Sequence, residues 1–127
     1  MYFSKKLGYE IGYMSSYEKL AFEIIDNDPI VDSYIPQPFS IEYNYKGTQR
    51  TYTPDILIYY KDGKKVIVEV KPKLLLEKPI NKAKFEALGN FCRQKNFDFE
   101  IWDEDILKAK AELFLVGGNS GEGITGI

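Results

Sequence analysis

Two runs rich in β-branched and aromatic residues, separated by three residues of turn type, limit the fold of this chain more than any other feature. The runs cover residues 50–60 and 64–71, and Lys61-Asp62-Gly63 joins them. Such a pattern predicts two antiparallel strands connected by a tight hairpin. The chain therefore has to build a sheet around this hairpin.

Helices and further strands flank the predicted hairpin. Helical spacing of apolar residues and nearby prolines indicate the helices, and short β-branched or aromatic runs indicate the strands. The expected elements are helices over residues 16–27, from Pro79 onward and over residues 103–113, and strands over residues 39–45 and 97–102. Because Pro36 and Pro38 lack backbone donors, regular pairing is expected only from Phe39 onward. The order predicts an α/β fold with a mixed central sheet flanked by helices.

Composition excludes several classes of chemistry. The 127 residues contain no histidine and one cysteine, so a Ser-His-Asp or Cys-His mechanism and an imidazole-bound zinc are not available. Cys92 lies in an apolar helical pattern, where a free thiol acts as a small hydrophobe. Catalysis would have to depend on carboxylates, lysines, hydroxyls and a hard metal ion.

The length predicts one domain over residues 1–116, followed by a flexible Gly-rich tail over residues 117–127. The sequence shows neither a signal-peptide pattern nor an apolar stretch that could span a membrane. We therefore expect a cytoplasmic protein.

Charge is distributed unevenly, although the formal net charge is only −2. Between positions 61 and 84, eight lysines stand against three acidic residues, whereas from position 98 to the end seven acidic residues stand against two lysines. The basic segment is a candidate phosphate-binding face. The acidic C-terminal part is expected to face away from such a ligand and to dock a partner chain through its apolar residues Leu107, Phe114, Leu115 and Val116.

The length of the hairpin loop decides which side chains share a face. A two-residue loop, Asp62-Gly63, would point the carboxylates of Asp55 and Glu69 to opposite faces. A three-residue loop, Lys61-Asp62-Gly63, places Asp55 directly across from Glu69. Gly63 stands at the left-handed position where such loops favour glycine, so we expect the second register.

Glu69 and Lys71 lie two residues apart in one strand, so both side chains are expected on one open face of the sheet. Carboxylates placed directly across from each other repel unless a cation lies between them. Mg²⁺ prefers such oxygen ligands and can polarise a phosphodiester, while Lys71 can orient water or neutralise charge on the phosphate. The alternative is that Asp55, Glu69 and Lys71 form ordinary solvated surface pairs.

Four blocks in order, SSYE, QPFSIEY, YTPDILIYY and EVKP, resemble the catalytic domain of TnsA-type transposon endonucleases, within the PD-(D/E)xK nuclease superfamily. The resemblance covers residues 15–73 and implies a restriction-endonuclease-like fold. It also implies a metal-dependent DNA endonuclease from a phage or mobile element, acting in a bacterial or phage-infected host cell. The implied catalytic residues are Glu18, Asp55, Glu69 and Lys71, and the implied ligands of Mg²⁺ or Mn²⁺ are Glu18, Asp55, Glu69 and the Val70 carbonyl.

Each of the remaining candidates has a plain structural alternative. Glu18 could instead form a capping box with Ser15. Gln37 aligns with a glutamine typical of the family beside the site, or is a buried amide that satisfies strand-end backbone groups. Lys73 and the lysines that follow it can position phosphate or lie on solvated helix ends. Five tyrosines can stack on bases, although core packing is the favoured interpretation; they are Tyr43, Tyr45, Tyr52, Tyr59 and Tyr60.

Two other functions remain open. One is a Holliday-junction resolving or repair nuclease of the same superfamily, and the other is a non-catalytic DNA-binding or assembly module that keeps the fold. DNA is the expected partner in every case. Because one site cuts one strand, we expect a homodimer or recruitment by a larger complex through the C-terminal part.

Overall fold

The computed structural model describes residues 1–116, so the tail expected over residues 117–127 lies outside the described part. Residues 1–116 form a four-stranded sheet, two separate two-stranded hairpins and several helices. The strands are β1 (Tyr2–Ser4), β2 (Tyr9–Ile11), β3 (Val31–Pro36), β4 (Ile41–Tyr45), β5 (Thr48–Tyr52), β6 (Ile56–Tyr60), β7 (Lys65–Val70) and β8 (Asp98–Trp102). The helices are α1 (Ser16–Asn27), α2 (Lys73–Leu76), α3 (Pro79–Lys95) and α4 (Glu104–Ala111), and a π-helical turn follows over Glu112–Val116.

The main sheet has the strand order β3-β6-β7-β8. β6 pairs antiparallel with both β3 and β7, whereas β8 lies parallel to β7 because α3 carries the chain back across the sheet. α1 and α4 pack on one face of this sheet, and α3 and the β4–β5 hairpin pack on the other. The expected α/β fold, a mixed central sheet flanked by helices, is confirmed.

Local sequence signals account for the helix ends. The Ser15 hydroxyl accepts a hydrogen bond from the Glu18 N–H over 3.2 Å at the start of α1. Pro79 occupies the first turn of α3, where its missing N–H has no cost. Asn96 ends α3 in the left-handed conformation that closes many helices. The helices expected over residues 16–27 and from Pro79 onward are therefore confirmed.

The expectation that the prolines prevent pairing before Phe39 is wrong. Residues 31–36 pair with β6 as strand β3. This strand lies at the edge of the main sheet, and Pro36 is its last residue. A proline is tolerated there because an edge strand offers one side of its backbone to no neighbour.

The sequence predicts one strand over residues 50–60, but this run forms two strands. β5 ends at Tyr52 and β6 begins at Ile56, with Thr53, Pro54 and Asp55 between them. Pro54 cannot donate to a ladder, so the chain leaves the β4–β5 hairpin here and enters the main sheet. The sequence pattern does not predict the short elements β1, β2 and α2.

The β1–β2 hairpin is attached to the rest of the protein through a buried carboxylate. Asp26, near the end of α1, accepts hydrogen bonds from the Tyr2 hydroxyl over 2.5 Å, the Ser4 hydroxyl over 2.8 Å and the Lys6 N–H over 3.2 Å. The hairpin forms its own two-stranded sheet and does not pair with the main one. Its position therefore depends on these polar contacts and on apolar packing.

Burial confirms the packing interpretation for several side chains. Cys92 is buried between α3 and the main sheet, where burial raises the pKa of its thiol to about 11. Tyr43 and Tyr52 are buried in the same cluster. No helix within residues 1–116 combines the length and the apolar character needed to cross a membrane.

Candidate active site

The hairpin between β6 and β7 has the three-residue loop. The Tyr60 N–H donates to the Lys64 carbonyl over 2.9 Å, and Gly63 has a φ of 93°, in the left-handed region open to glycine. Pairing continues in the same register to the start of β6. Asp55, the residue before β6, therefore lies across from Glu69, and the expected register is confirmed.

Asp55 and Glu69 each bind the backbone of the opposite strand. The Asp55 N–H donates to Glu69 Oε1 over 3.0 Å, and the Val70 N–H donates to Asp55 Oδ2 over 2.7 Å. The Asp55 carbonyl in turn accepts from the Gln37 N–H over 2.8 Å. Main-chain groups of the sheet thus hold both carboxylates in place.

The face that carries Glu69 is not open, contrary to the expectation, because α3 and the β4–β5 hairpin cover it. Glu69 is only 2% exposed. Burial and then repulsion from Asp55 raise the pKa of Glu69 to about 8, and burial also raises the pKa of Asp55. Near pH 7 the pair therefore keeps a proton unless a cation replaces it.

Lys71 directly follows β7, is half-buried and lies within electrostatic range of both carboxylates. Its positive charge lowers the pKa of Asp55 and of Glu69, which opposes the effect of burial. The Lys71 N–H donates to the Trp102 carbonyl over 3.1 Å and so attaches this position to β8. The structure brings Asp55, Glu69 and Lys71 together, as the sequence predicts.

Gln37 and Glu18 line the same cleft as Asp55, which has a volume of about 430 Å³. Gln37 is exposed and has a φ of 47°, in the left-handed region. Its backbone, not its side chain, bonds Asp55. The alternative of a buried amide is therefore wrong, and a direct role for this side chain stays a prediction.

Glu18 serves as a helix cap and also lies near Asp55. Its Oε1 accepts from the Met14 N–H over 3.0 Å, so the capping box closes on Met14 and not on Ser15. Burial raises the pKa of Glu18, and the charge of Asp55 adds to this effect. Within residues 1–116 no three metal-ligating side chains come together, so Glu18 does not complete a ligand group with Asp55 and Glu69, and its metal role stays a prediction.

The donor set of the pair suits Mg²⁺ or Mn²⁺. Asp55 and Glu69 offer hard carboxylate oxygens, which both ions prefer. When both are ionised they repel each other, and a divalent cation would remove this repulsion. The Val70 N–H already bonds Asp55, and its carbonyl stays a predicted ligand.

The sequence predicts that the acidic C-terminal part faces away from the site. In the structure, the acidic start of α4 instead lies next to it. Because β7 and β8 are parallel, their carboxyl ends meet at one edge of the sheet. The Lys73 N–H donates to Glu104 Oε1 over 2.8 Å, and its ammonium group pairs with Asp105. Lys73 would have to leave Asp105 before it could bind a phosphate.

The apolar residues expected to dock a partner are mostly packed within the chain itself. Leu107 is buried in the core, and Phe114 and Leu115 pack against it. They therefore do not form a free docking surface. The side chain of Val116 lies outside the described part of the chain.

This mixed sheet, with paired carboxylates of which Asp55 lines a cleft, is that of a nuclease-like α/β domain. The profile of the family described as TnsA-like endonuclease N terminal matches residues 28–104, a range that contains Asp55, Glu69 and Lys71. The chain belongs to this family, which confirms the resemblance seen in the sequence. A curated relative, the head completion nuclease of Enterobacteria phage T4, is 26% identical over 124 residues, covering 79% of this chain and 83% of the relative.

Proposed function

We propose that this protein is a metal-dependent endonuclease that hydrolyses phosphodiester bonds of DNA at Asp55, Glu69 and Lys71. The observation that carries the proposal is the pair of carboxylates bound to each other's strands, with Glu69 2% exposed. Burying two like charges side by side is unfavourable for folding. A cation that binds between the two carboxylates would offset their repulsion, which accounts for this arrangement.

In the proposed mechanism, Asp55 and Glu69 would hold Mg²⁺ or Mn²⁺, with the Val70 carbonyl, and Glu18 through water, as further ligands. When bound, the ion supplies Lewis acidity toward the phosphodiester. Lys71 lies beside both carboxylates, where its ammonium group can donate to a phosphate oxygen and stabilise the charge that develops there. It can also orient the attacking water from the same face.

The test is incubation with supercoiled, nicked, linear and branched DNA, in Mg²⁺ and in EDTA. We expect cleavage in Mg²⁺ and none in EDTA, with the Asp55→Asn variant purified in parallel to exclude a contaminating nuclease. Strong preference for branched DNA would favour the junction-resolving or repair alternative. Binding without cleavage under every condition would overturn the proposal in favour of a non-catalytic module.

The relative from phage T4 supports a phage setting. We propose that the chain is encoded by a phage or related mobile element, acts in the cytoplasm of the infected cell, and serves in completing phage heads. A T4 phage that lacks its head completion nuclease should regain viable particles when supplied with this chain. The Asp55→Asn variant should not restore them.

A further inference from the structure

Tyr52, the last residue of β5, buries a polar group that has no partner. Among residues 1–116, its hydroxyl is the one buried side-chain polar atom without a hydrogen-bond partner. The residue is 7% exposed, so water does not readily take the place of a partner. Leaving a hydroxyl in this state is unfavourable, and native proteins contain few such groups.

The hydroxyl lies beside the Glu69 carboxylate. After burial, the charge of Glu69 is the largest influence that raises the pKa of Tyr52, and Asp55 contributes as well. Tyr52 in turn lowers the pKa of Glu69. The two groups are within hydrogen-bonding reach, since hydrogen bonding between them contributes to the raised pKa of Tyr52 and lowers that of Glu69. The hydroxyl nevertheless makes no hydrogen bond of regular distance and angle.

Neighbouring side chains keep the ring of Tyr52 in this place. Tyr43 packs edge-on against it, with ring centroids 6.4 Å apart and planes at 82°. The Lys84 ammonium, from α3, lies 5.3 Å from the ring centroid, a cation–π distance. A hydrogen bond of regular geometry between the two groups therefore requires a movement of the Glu69 carboxylate rather than of the tyrosine.

We propose that Tyr52 is a positioning residue, whose hydroxyl donates a hydrogen bond to Glu69 when that carboxylate binds a divalent cation. The inference rests on the proposed function, because it requires Asp55 and Glu69 to hold the ion. A hydrogen bond to a ligating carboxylate fixes its orientation, and losing such a bond typically weakens metal binding by roughly 10- to 100-fold.

The experiment compares Tyr52→Phe with Tyr43→Phe, which removes a hydroxyl from a similarly buried ring of the same hairpin. Mn²⁺ binding is measured by calorimetry, and thermal unfolding is measured in EDTA. Tyr52→Phe should raise the Kd for Mn²⁺ by roughly 10-fold or more. Its Tm in EDTA should equal or exceed that of the wild type, because the variant loses a polar group without a partner. Tyr43→Phe should leave the Kd unchanged.

Two results would overturn the role of Tyr52 alone: an unchanged Kd for Tyr52→Phe, or a Tm in EDTA that falls further than in Tyr43→Phe. The second result would show that the hydroxyl supports the metal-free fold. A wild-type protein that binds no Mn²⁺ would overturn this inference together with the proposed metal site.

Discussion

In the proposed mechanism Lys71 contributes a charge and Asp55 a metal ligand, and single substitutions can separate both roles from folding. Lys71→Ala and Asp55→Asn should each lower the rate of plasmid cleavage on the order of 10²-fold or more. DNA affinity and thermal unfolding should stay near the wild type, since the asparagine oxygen can still accept from the Val70 N–H. Lys65→Ala is the matched control, because Lys65 is exposed on the same face of β7. Wild-type cleavage rates in either variant would contradict the assignment.

Glu69 makes the stability of the metal-free protein depend on pH. Its pKa of about 8 in the fold exceeds the ordinary value of 4.5, so the folded state retains a proton that the unfolded state releases. The stability that Glu69 contributes is complete below pH 4.5 and is lost as pH rises through 8. Glu69→Gln stays neutral, so in EDTA at pH 8 it should unfold with a free energy higher than the wild type by roughly 1 to 3 kcal/mol.

Urea unfolding at pH 5 and pH 8 measures this difference. Glu86→Gln, at an exposed position of α3, is the control and should follow the wild type. A Glu69→Gln variant whose stability changes with pH as much as that of the wild type would show that Glu69 is not the buried group that holds the proton.

At the scale of secondary structure, the β6–β7 hairpin shows what a sequence can predict. Loop length and the position of Gly63 define the register, and strand alternation then places Asp55 with Glu69 and Lys71. The burial of that face could not be predicted, because it depends on how α3 and the β4–β5 hairpin pack. The left-handed conformation of Gln37 and the partnerless hydroxyl of Tyr52 depend on the same tertiary packing.

Changing the strand register should therefore change the site without substituting any of its residues. Deletion of Lys65 shifts every later residue of β7 by one position against β6, and a one-residue slip turns every side chain of a strand to the other face. We expect loss of both cleavage and Mn²⁺ binding. Gly63→Ala keeps the register but places a side chain at a φ of 93°, so it should retain cleavage and lower stability by roughly 1 to 2 kcal/mol. Cleavage by the deletion variant would contradict the importance of the register.

At the scale of the whole molecule, one site per chain limits what a monomer can do. The proposed site of Asp55, Glu69 and Lys71 would cut one strand at a time, whereas a two-fold dimer would present two equivalent sites to antiparallel strands. Since Leu107 is buried, the apolar surface left near the C-terminal part includes Leu113, which is 68% exposed. A dimer through this part of the chain stays a proposal.

Light scattering with and without DNA, together with an assay that separates nicked from linear plasmid, tests this proposal. We expect dimers on DNA and concerted linearisation. Leu113→Glu should weaken the dimer and leave nicked product, whereas Leu74→Glu, at a leucine 87% exposed in α2, should not. A strict monomer on DNA that linearises plasmid in one step would contradict the proposal.

The attachment of the β1–β2 hairpin separates the entrance of the cleft from its chemistry. Residues of this hairpin and the chain after it, including Tyr9, Tyr13 and Met14, line the cleft beside Asp55. They are held through Asp26 and apolar packing, while the carboxylates and Lys71 belong to the main sheet. The first 14 residues therefore shape what can enter the cleft, while the main sheet carries Asp55, Glu69 and Lys71.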